Sequence, residues 1–559
     1  IGQRRAGPWL ARLGSTGTIL FRSSTYRGCF PVNSAHDLKA PFQQGGVLLW
    51  PNEHAVAEFL RLNRLSFEEC KTEILGSPLC EWRMLAIREV TQLARSFMRL
   101  ETDAGSLPTG NGLIVGGHQP ELFHPGVWIK NFVMNYLGRK HDLLPLNLVV
   151  DNDVPKSATL GIPKPAQYDA LHSLVKLPFD HHSSEAPYED WVLHDRELFH
   201  NLPHQAKKLV GDWKEHPLLF EFWNEAQKQL EEDARPGVAF AKSRRIFERK
   251  WGVTNLELPI SILCESEAFQ VFVLHMLQNA ESFLKKHNEA VLGYRQRHGL
   301  RSKNHPFAEL ANGKGWMETP FWLMVPESPR RQRLGVKVET DGEIRLGTPG
   351  PNGIRVPLGK TDLLDALRSI SEKGFRIRPR AIATTLFARL FLADLFLHGI
   401  GGGKYDEVTD QLCQSFFGLT APKYLVASAT LRLNLLQNQT SIAEVRQAHH
   451  LWRDSLWNPQ RHFPAPTNDS WNQLLHQKSE VLALPQNTRL ERKIRYQKLR
   501  LNLEAMQKLV ESKTLQLQQE AGKIQLRFEA EQLIQGREFA FVLFSETRLK
   551  QLFTPYLPG

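Results

Sequence analysis

The stretch from Leu113 to Asp153 limits what this chain can fold into more than any other. Leu113-Ile114-Val115 is a short apolar run with β-branched content and reads as a buried strand. Gly116-Gly117 breaks that run, and the polar segment His118-Gln119-Pro120-Glu121 follows. Val127, Trp128, Phe132, Val133, Tyr136 and Leu137 then recur mostly at helical spacing, with Gly138 fitting a helix stop. Leu146 to Val150 is a second apolar run that ends on Asp151-Asn152-Asp153. Strand, helix and strand within about forty residues make a βαβ unit, whose two strands run parallel. The fold class is therefore α/β with a parallel-sheet core.

Such a unit places its functional loops at the carboxyl ends of its strands. Here those ends are His118-Gln119 and Asp151-Asn152-Asp153. Backbone N–H groups opening the first helix would face an anion bound there. The plainer alternative is a glycine-rich connection that binds nothing, since a fold alone does not fix a function.

The 559-residue chain is long enough for several domains and a large core. Hydrophobic residues make up 42% and charged residues 23%, which separates it from disordered chains. The richest apolar run, Leu386 to Ile400, is interrupted by Arg389, Asp394 and His398, so no membrane span is expected. The net charge of +11 raises nucleic acid as a partner, but the cations are spread beside 59 acidic residues. Their densest cluster, Arg330-Arg331-Gln332-Arg333, is short, and a solvated basic surface is the expectation. Five scattered cysteines contain no CxxC pair; they suit a reducing, cytoplasmic setting and do not suggest a thiolate metal site.

The organisation expected along the chain is as follows. Residues 1–45 form a poorly ordered leader and 46–155 the first half of the core. Residues 156–255 are a helical insertion, within which Tyr168 to Leu177 reads as extended and Arg196 to Leu230 as helical. Residues 256–425 complete the core and carry a β-hairpin, Phe321–Val325 with Leu334–Val338, and a third strand at Glu343–Leu346. Ala383 to Leu397 reads as one buried helix, followed by a glycine turn and a helix from Val408 to Phe417. Residues 426–535 read as an α-helical, antiparallel coiled coil. Ser441 and Glu444 there have capping-box spacing for a helix ending near Leu451. Leu499, Leu503, Met506, Val510, Leu517, Ala521, Ile524 and Phe528 make an apolar stripe. Residues 536–559 hold a strand at Phe539–Phe544 and a short helix capped by Ser545.

Two further motifs bear on chemistry. His398-Gly399-Ile400-Gly401-Gly402-Gly403-Lys404-Tyr405-Asp406 resembles a phosphate loop but lacks the first glycine and the Ser or Thr after lysine. It reads either as a second backbone N–H cradle, with Lys404 offering charge, or as a tight interhelical turn. Asp151 and Asp153 read either as Mg²⁺ ligands beside substrate phosphates or as caps of the next turn. His118 and His124 do not have the spacing of a helical metal pair, and no metal site is assigned.

At Gly117-His118-Gln119-Pro120-Glu121-Leu122-Phe123 the chain resembles the bacillithiol biosynthesis cysteine-adding enzymes, as a divergent relative. Gly117, Gln119, Leu122 and Phe123 match that family's motif. His118 stands where the family has Gln, and Pro125-Gly126 invert its Gly-Pro. Lys130 lies about two positions from the family's lysine on the following helix. Asp151 and Asp153 match the acidic second strand end in kind, and Gly402-Gly403-Lys404-Tyr405-Asp406 looks like its late Gly-Gly-x-x-Glu loop.

The resemblance implies a Rossmann-like, nucleotidylyltransferase-like core with helical insertions and a C-terminal antiparallel coiled coil that makes a homodimer. It implies a ligase that joins cysteine, or a similar amino acid, to an amino-sugar acceptor, with ATP or ADP as the candidate nucleotide. His118, Gln119, Asp151 and Asp153 would be the catalytic residues. Gly117, Phe123, His124, Lys130, Gly401, Gly402, Gly403, Lys404 and Asp406 would bind substrate or nucleotide. The alternative from a different class is a non-catalytic dimeric scaffold that keeps the fold and uses its coiled coil for partners.

Overall fold

The computed structural model describes residues 35–558, apart from 100–109, 165–172, 182–184, 314, 339–343, 349–354, 359–362, 437–438 and 464–468. Its central sheet has six strands: β1 (Val47–Trp50), β2 (Leu113–His118), β3 (Leu144–Val149), β4 (Leu256–Pro259), β5 (Leu395–His398) and β6 (Tyr424–Ala429). The spatial order is β1-β6-β5-β2-β3-β4. All neighbours are parallel except β1, which runs antiparallel on the edge beside β6. From β2 the chain moves outward through β3 to β4, then returns to β5 on the other side of β2. The order therefore reverses between β2 and β5, where the strand ends leave a crevice.

The expected βαβ unit is β2, helix α1 (Pro125–His141) and β3. His124 caps α1 by accepting the Gly126 N–H at Nδ1, 3.1 Å, and Pro125 occupies the first turn. Arg139, Lys140 and His141 lie in its last turn, and Asp142 ends it in the left-handed region at φ 52°. Gly116 and Gly117 do not break β2 as the composition suggested; the strand runs through them to His118. A Cβ on Gly116 would lie 2.8 Å from Met134 Sδ, and one on Gly117 2.5 Å from the Leu148 carbonyl oxygen. The glycines let α1 and β3 approach β2 closely.

Several expectations change in detail. Of the leader, 1–34 lie outside the described residues, but Ala35 and Leu38 are buried against Val426, so 35–45 belong to the fold. The insertion is not wholly helical: Thr159–Lys164 and Ser173–Pro178 pair as an antiparallel hairpin before the helices Arg196–Val210, Leu219–Glu232 and Pro236–Lys250. Part of the extended segment expected from Tyr168 onward lies outside the described residues. The hairpin expected in the second half of the core is part of a larger antiparallel sheet. Trp316–Met324 pairs with both Arg331–Val338 and Arg376–Pro379, and Ile344–Gly347 and Arg355–Leu358 extend the sheet.

The buried run Ala383 to Leu397 is not one helix. It divides into a helix Ala381–Phe387, a π-turn Ala388–Leu392 and strand β5. The next helix, α2 (Ile400–Ser415), starts at the glycines and not at Val408.

Beyond β6, which takes the first residues assigned to the coiled coil, the described residues are mostly helical. Ile442–Trp457 packs against Glu511–Ile534, and Asp469–Ala483 against Arg489–Leu509. Thr440, just before the first helix of the first pair, bonds Glu531 near the end of the second, and Leu456 at the far end of the first accepts from Gln507, which lies just before the second helix begins, so that pair is antiparallel. The Ser441–Glu444 capping box is present, and its helix continues past Leu451 to Trp457. The strand expected at Phe539–Phe544 is instead a 3-10 turn, Phe541–Leu543. Phe541 sits 4.3 Å, centroid to centroid, from the buried Trp128 of α1. Ser545 precedes the helix Glu546–Phe553 but gives its hydroxyl to Glu215 rather than to a cap.

Candidate ligand-binding site

A cavity of ≈ 610 Å³ opens at the carboxyl ends of β2 and β5, under the antiparallel sheet. One wall is the strand-end corner Gly117-His118-Gln119, with His124, Gly126 and Lys130 of the first turns of α1. A second is His398 to Gly402, the corner from β5 into α2. The roof comes from Trp322, Arg331 and Arg380, and Arg537 closes one side beside Ser428. The two glycine-containing corners expected from the sequence thus meet in one crevice.

The charge of this cavity is mostly positive. Lys130 is 5% exposed and donates to the Gly117 carbonyl oxygen at 2.6 Å. Among the described residues no carboxylate lies within ion-pair distance of it. Burial alone lowers its pKa from 10.5 to about 8. Arg537 donates to the Ala429 carbonyl oxygen at 2.8 Å and to Ser428 Oγ at 3.2 Å. Arg331 and Arg380 lie over the Trp322 ring at 4.8 and 5.0 Å from its centroid. Each also has a carboxylate partner, Asp153 for Arg331 at 3.0 Å and Glu318 for Arg380 at 2.6 Å. Burial pulls Arg380 and Arg537 below the ordinary arginine value, yet guanidinium stays charged at any ordinary pH.

His118 contacts the Gln119 carbonyl oxygen through Nδ1 at 3.2 Å and stands edge-on to Phe123 at 5.2 Å. Burial, then the charge of Lys130, lowers its pKa to about 3. Its resting form near neutral pH is the neutral ring, which donates one hydrogen bond, rather than an imidazolium. His124 likewise falls to about 4, through burial and then Arg537. Gln119 Nε2 donates to Asp153 Oδ2 at 3.0 Å, which links the two expected strand-end loops.

Other sequence-derived site residues lie elsewhere. Asp151 does not line the cavity: it accepts the Ser261 N–H at 2.9 Å and the Ser261 hydroxyl, tying β3 to the helix after β4. Burial, reinforced by Glu189, raises its pKa to about 6. Phe123 is 9% exposed and packs on Phe541. Asp406 is buried between Arg389 and His398, at 2.6 and 2.7 Å, and cannot reach a ligand. Lys404 is not on the cavity lining; its charge acts on His36 instead. Among the glycines, Gly401 has open space where a Cβ would stand, whereas Gly403 would meet Val426 at 2.5 Å and serves packing.

Sequence reasoning missed His398, Trp322, Arg380 and Arg537 as site residues. Arg331 was visible as part of the densest basic cluster, and His398 as the residue that spoils the phosphate-loop pattern. Arg380 and Arg537 carry no local signal, because only the tertiary fold brings them to the strand ends. No family model matches the chain, and no curated protein matches it.

Proposed function

We propose that this chain is an enzyme that binds a nucleotide or another phosphate-bearing substrate across the ends of β2 and β5. Within that class we propose a carbon–nitrogen ligase of the bacillithiol cysteine-adding type, joining cysteine or a similar amino acid to an amino-sugar acceptor. The observation that carries the reading is the buried, carboxylate-free Lys130 in a crevice otherwise walled by Arg537, Arg331 and Arg380. A buried cation without a counter-ion is unfavourable, and a bound anion relieves it.

The Rossmann-like part of the proposal draws on the reversal of strand order between β2 and β5. Open α/β sheets bind ligands at such a reversal, and helix N-termini there favour anions. Amide formation from a carboxylate needs activation, for which ATP or ADP is the candidate. Trp322 offers a flat surface for a ring, and the cations a site for phosphate or carboxylate oxygens. Gln119 and Asp153, joined to each other, offer the polar contacts an amino sugar would need.

A second reading, a dimeric scaffold, draws on the apolar side chains that the C-terminal helices leave exposed, among them Leu490, Leu501, Leu515 and Leu526. Calorimetry with ATP, ADP, cysteine and amino sugars separates the two. The enzyme reading expects ATP or ADP to bind and the Lys130→Met variant to lose that binding. Absence of any nucleotide or amino-sugar binding in a folded protein, with dimer formation intact, would favour the scaffold.

A further inference from the structure

Resting on the reading that the cavity holds a reacting substrate, we propose that His398 is the proton acceptor of the reaction. Nδ1 is the accepting atom, and Asp406 and Arg389 are positioning residues. His398 ends β5, lines the cavity and is 8% exposed. Its Nε2 lies 2.7 Å from Asp406 Oδ2. The same oxygen accepts from Arg389 Nη1 at 2.6 Å. Burial by itself would raise the Asp406 pKa, but Arg389 and then His398 outweigh it and bring it to about 2.

An ionised Asp406 can only accept, so Nε2 must carry the ring proton. In the neutral ring this leaves the lone pair on Nδ1. Among the described residues Nδ1 has no hydrogen-bond partner. It faces Gly402, where a Cβ would stand 2.7 Å from Nδ1. Glycine at 402 therefore keeps a basic nitrogen uncovered at the cavity wall, a few residues from the open start of α2. Tyr424 meets the ring edge-on at 5.1 Å, and Phe396 lies 4.5 Å away, so the ring is held on both sides.

The step is a single proton transfer. A substrate ammonium, R–NH₃⁺, gives one proton to Nδ1. The N–H bonding pair stays on the substrate nitrogen as the lone pair of R–NH₂, and His398 becomes an imidazolium facing the Asp406 carboxylate. The neutral amine is then the nucleophile that a ligase of amino compounds requires. The roles divide between the corners: Lys130 meets negative charge, and His398 takes the proton.

The test uses the full chain labelled with ¹⁵N-histidine, the His398 signals being assigned by their loss in His398→Gln. The proposal expects that in the neutral ring Nε2 carries the proton and Nδ1 does not. A neutral ring protonated at Nδ1 and not at Nε2 would overturn it, whether or not any nucleotide binds. Nucleotide binding is measured separately, by calorimetry with ATP; its absence would overturn the ligase reading while the nitrogen signals still report on His398. With ATP, cysteine and amino sugar supplied, His398→Gln should lower kcat by about a hundredfold or more with ATP affinity within about threefold of wild type. Gly402→Ala, which keeps the imidazole and Asp406 but crowds Nδ1, should lower kcat in the same way and guards against a folding defect in the first variant. Wild-type kcat in both variants would overturn the proposal.

Discussion

The corner from β2 into α1 and the corner from β5 into α2 face each other across the cavity and are assembled from similar parts. Each strand ends on a histidine, glycine follows or precedes it, and a helix begins at the crevice. They differ in what stands behind the histidine. Behind His118 is Lys130, a buried cation with no carboxylate, and the ring is held neutral. Behind His398 is the carboxylate of Asp406, itself anchored by Arg389. In the proposed reading the same backbone geometry receives negative charge at one corner and orients a proton acceptor at the other. The sign of the buried partner decides which.

The two corners differ most when the buried partner is removed. Asp406→Ala strands Arg389, which is 1% exposed, with Asp410 as its remaining carboxylate at 2.7 Å. Removing one member of a buried ion pair costs about 3–5 kcal/mol, so urea unfolding should show a loss of that order. The first corner should respond with the opposite sign. Lys130→Met removes a buried charge that has no ion-pair partner, and a pKa lowered from 10.5 to about 8 corresponds to roughly 3 kcal/mol of penalty. The lost bond to Gly117 offsets about 1 kcal/mol of it. A net gain of about 2 kcal/mol in urea unfolding is expected, together with a loss of anion affinity of about ten- to a hundredfold by calorimetry.

A pH series sharpens the same contrast. Below pH 8 Lys130 is protonated in both folded and unfolded chains, and the penalty is fully present. Between about 8 and 10.5 the unfolded chain holds the proton and the folded chain does not, so wild-type stability rises with pH relative to Lys130→Met. The gain from the substitution should therefore shrink across that window. Anion affinity of the wild type should fall over the same range as Lys130 loses its charge. A gain that stays constant from pH 7 to 10.5 would remove Lys130 as the source.

How far these corners could be read from sequence also differs. The first was legible because Leu113–Val115 and Leu146–Val150 are separate apolar runs with a polar loop and a helical period between them. The second was not. Leu386 to Leu397 is apolar apart from Arg389 and Asp394, and a buried run without alternation gives helix and strand the same signature. The π-turn at Ala388–Leu392 and strand β5 were therefore hidden inside what looked like one helix. Hiding the strand also hid His398, which marks a carboxyl end only once the strand is known. Asp406 was read as a ligand residue because sequence spacing does not say which face of α2 turns inward. Phe539–Phe544 failed in the reverse direction: its apolar residues suited a strand, but they fill the aromatic cluster beside Trp128.

The smallest expected effect is at His118. The ring is neutral near pH 7, so its contribution to an anion is an ordinary hydrogen bond of about 0.5–1.5 kcal/mol and not a charge-assisted one. His118→Ala should weaken nucleotide binding by only about two- to tenfold, well below the effect of Lys130→Met. Its acid response has a definite sign. The ordinary histidine value is 6.5 and the folded value about 3, so between them the unfolded chain takes up a proton that the folded chain refuses. Wild-type stability should fall as pH drops from 6.5 towards 3, and the variant should fall less. A hundredfold loss of affinity on His118→Ala at neutral pH would mean that the ring meets the anion as a charged group, and an identical acid response in both proteins would mean that burial does not lower its pKa.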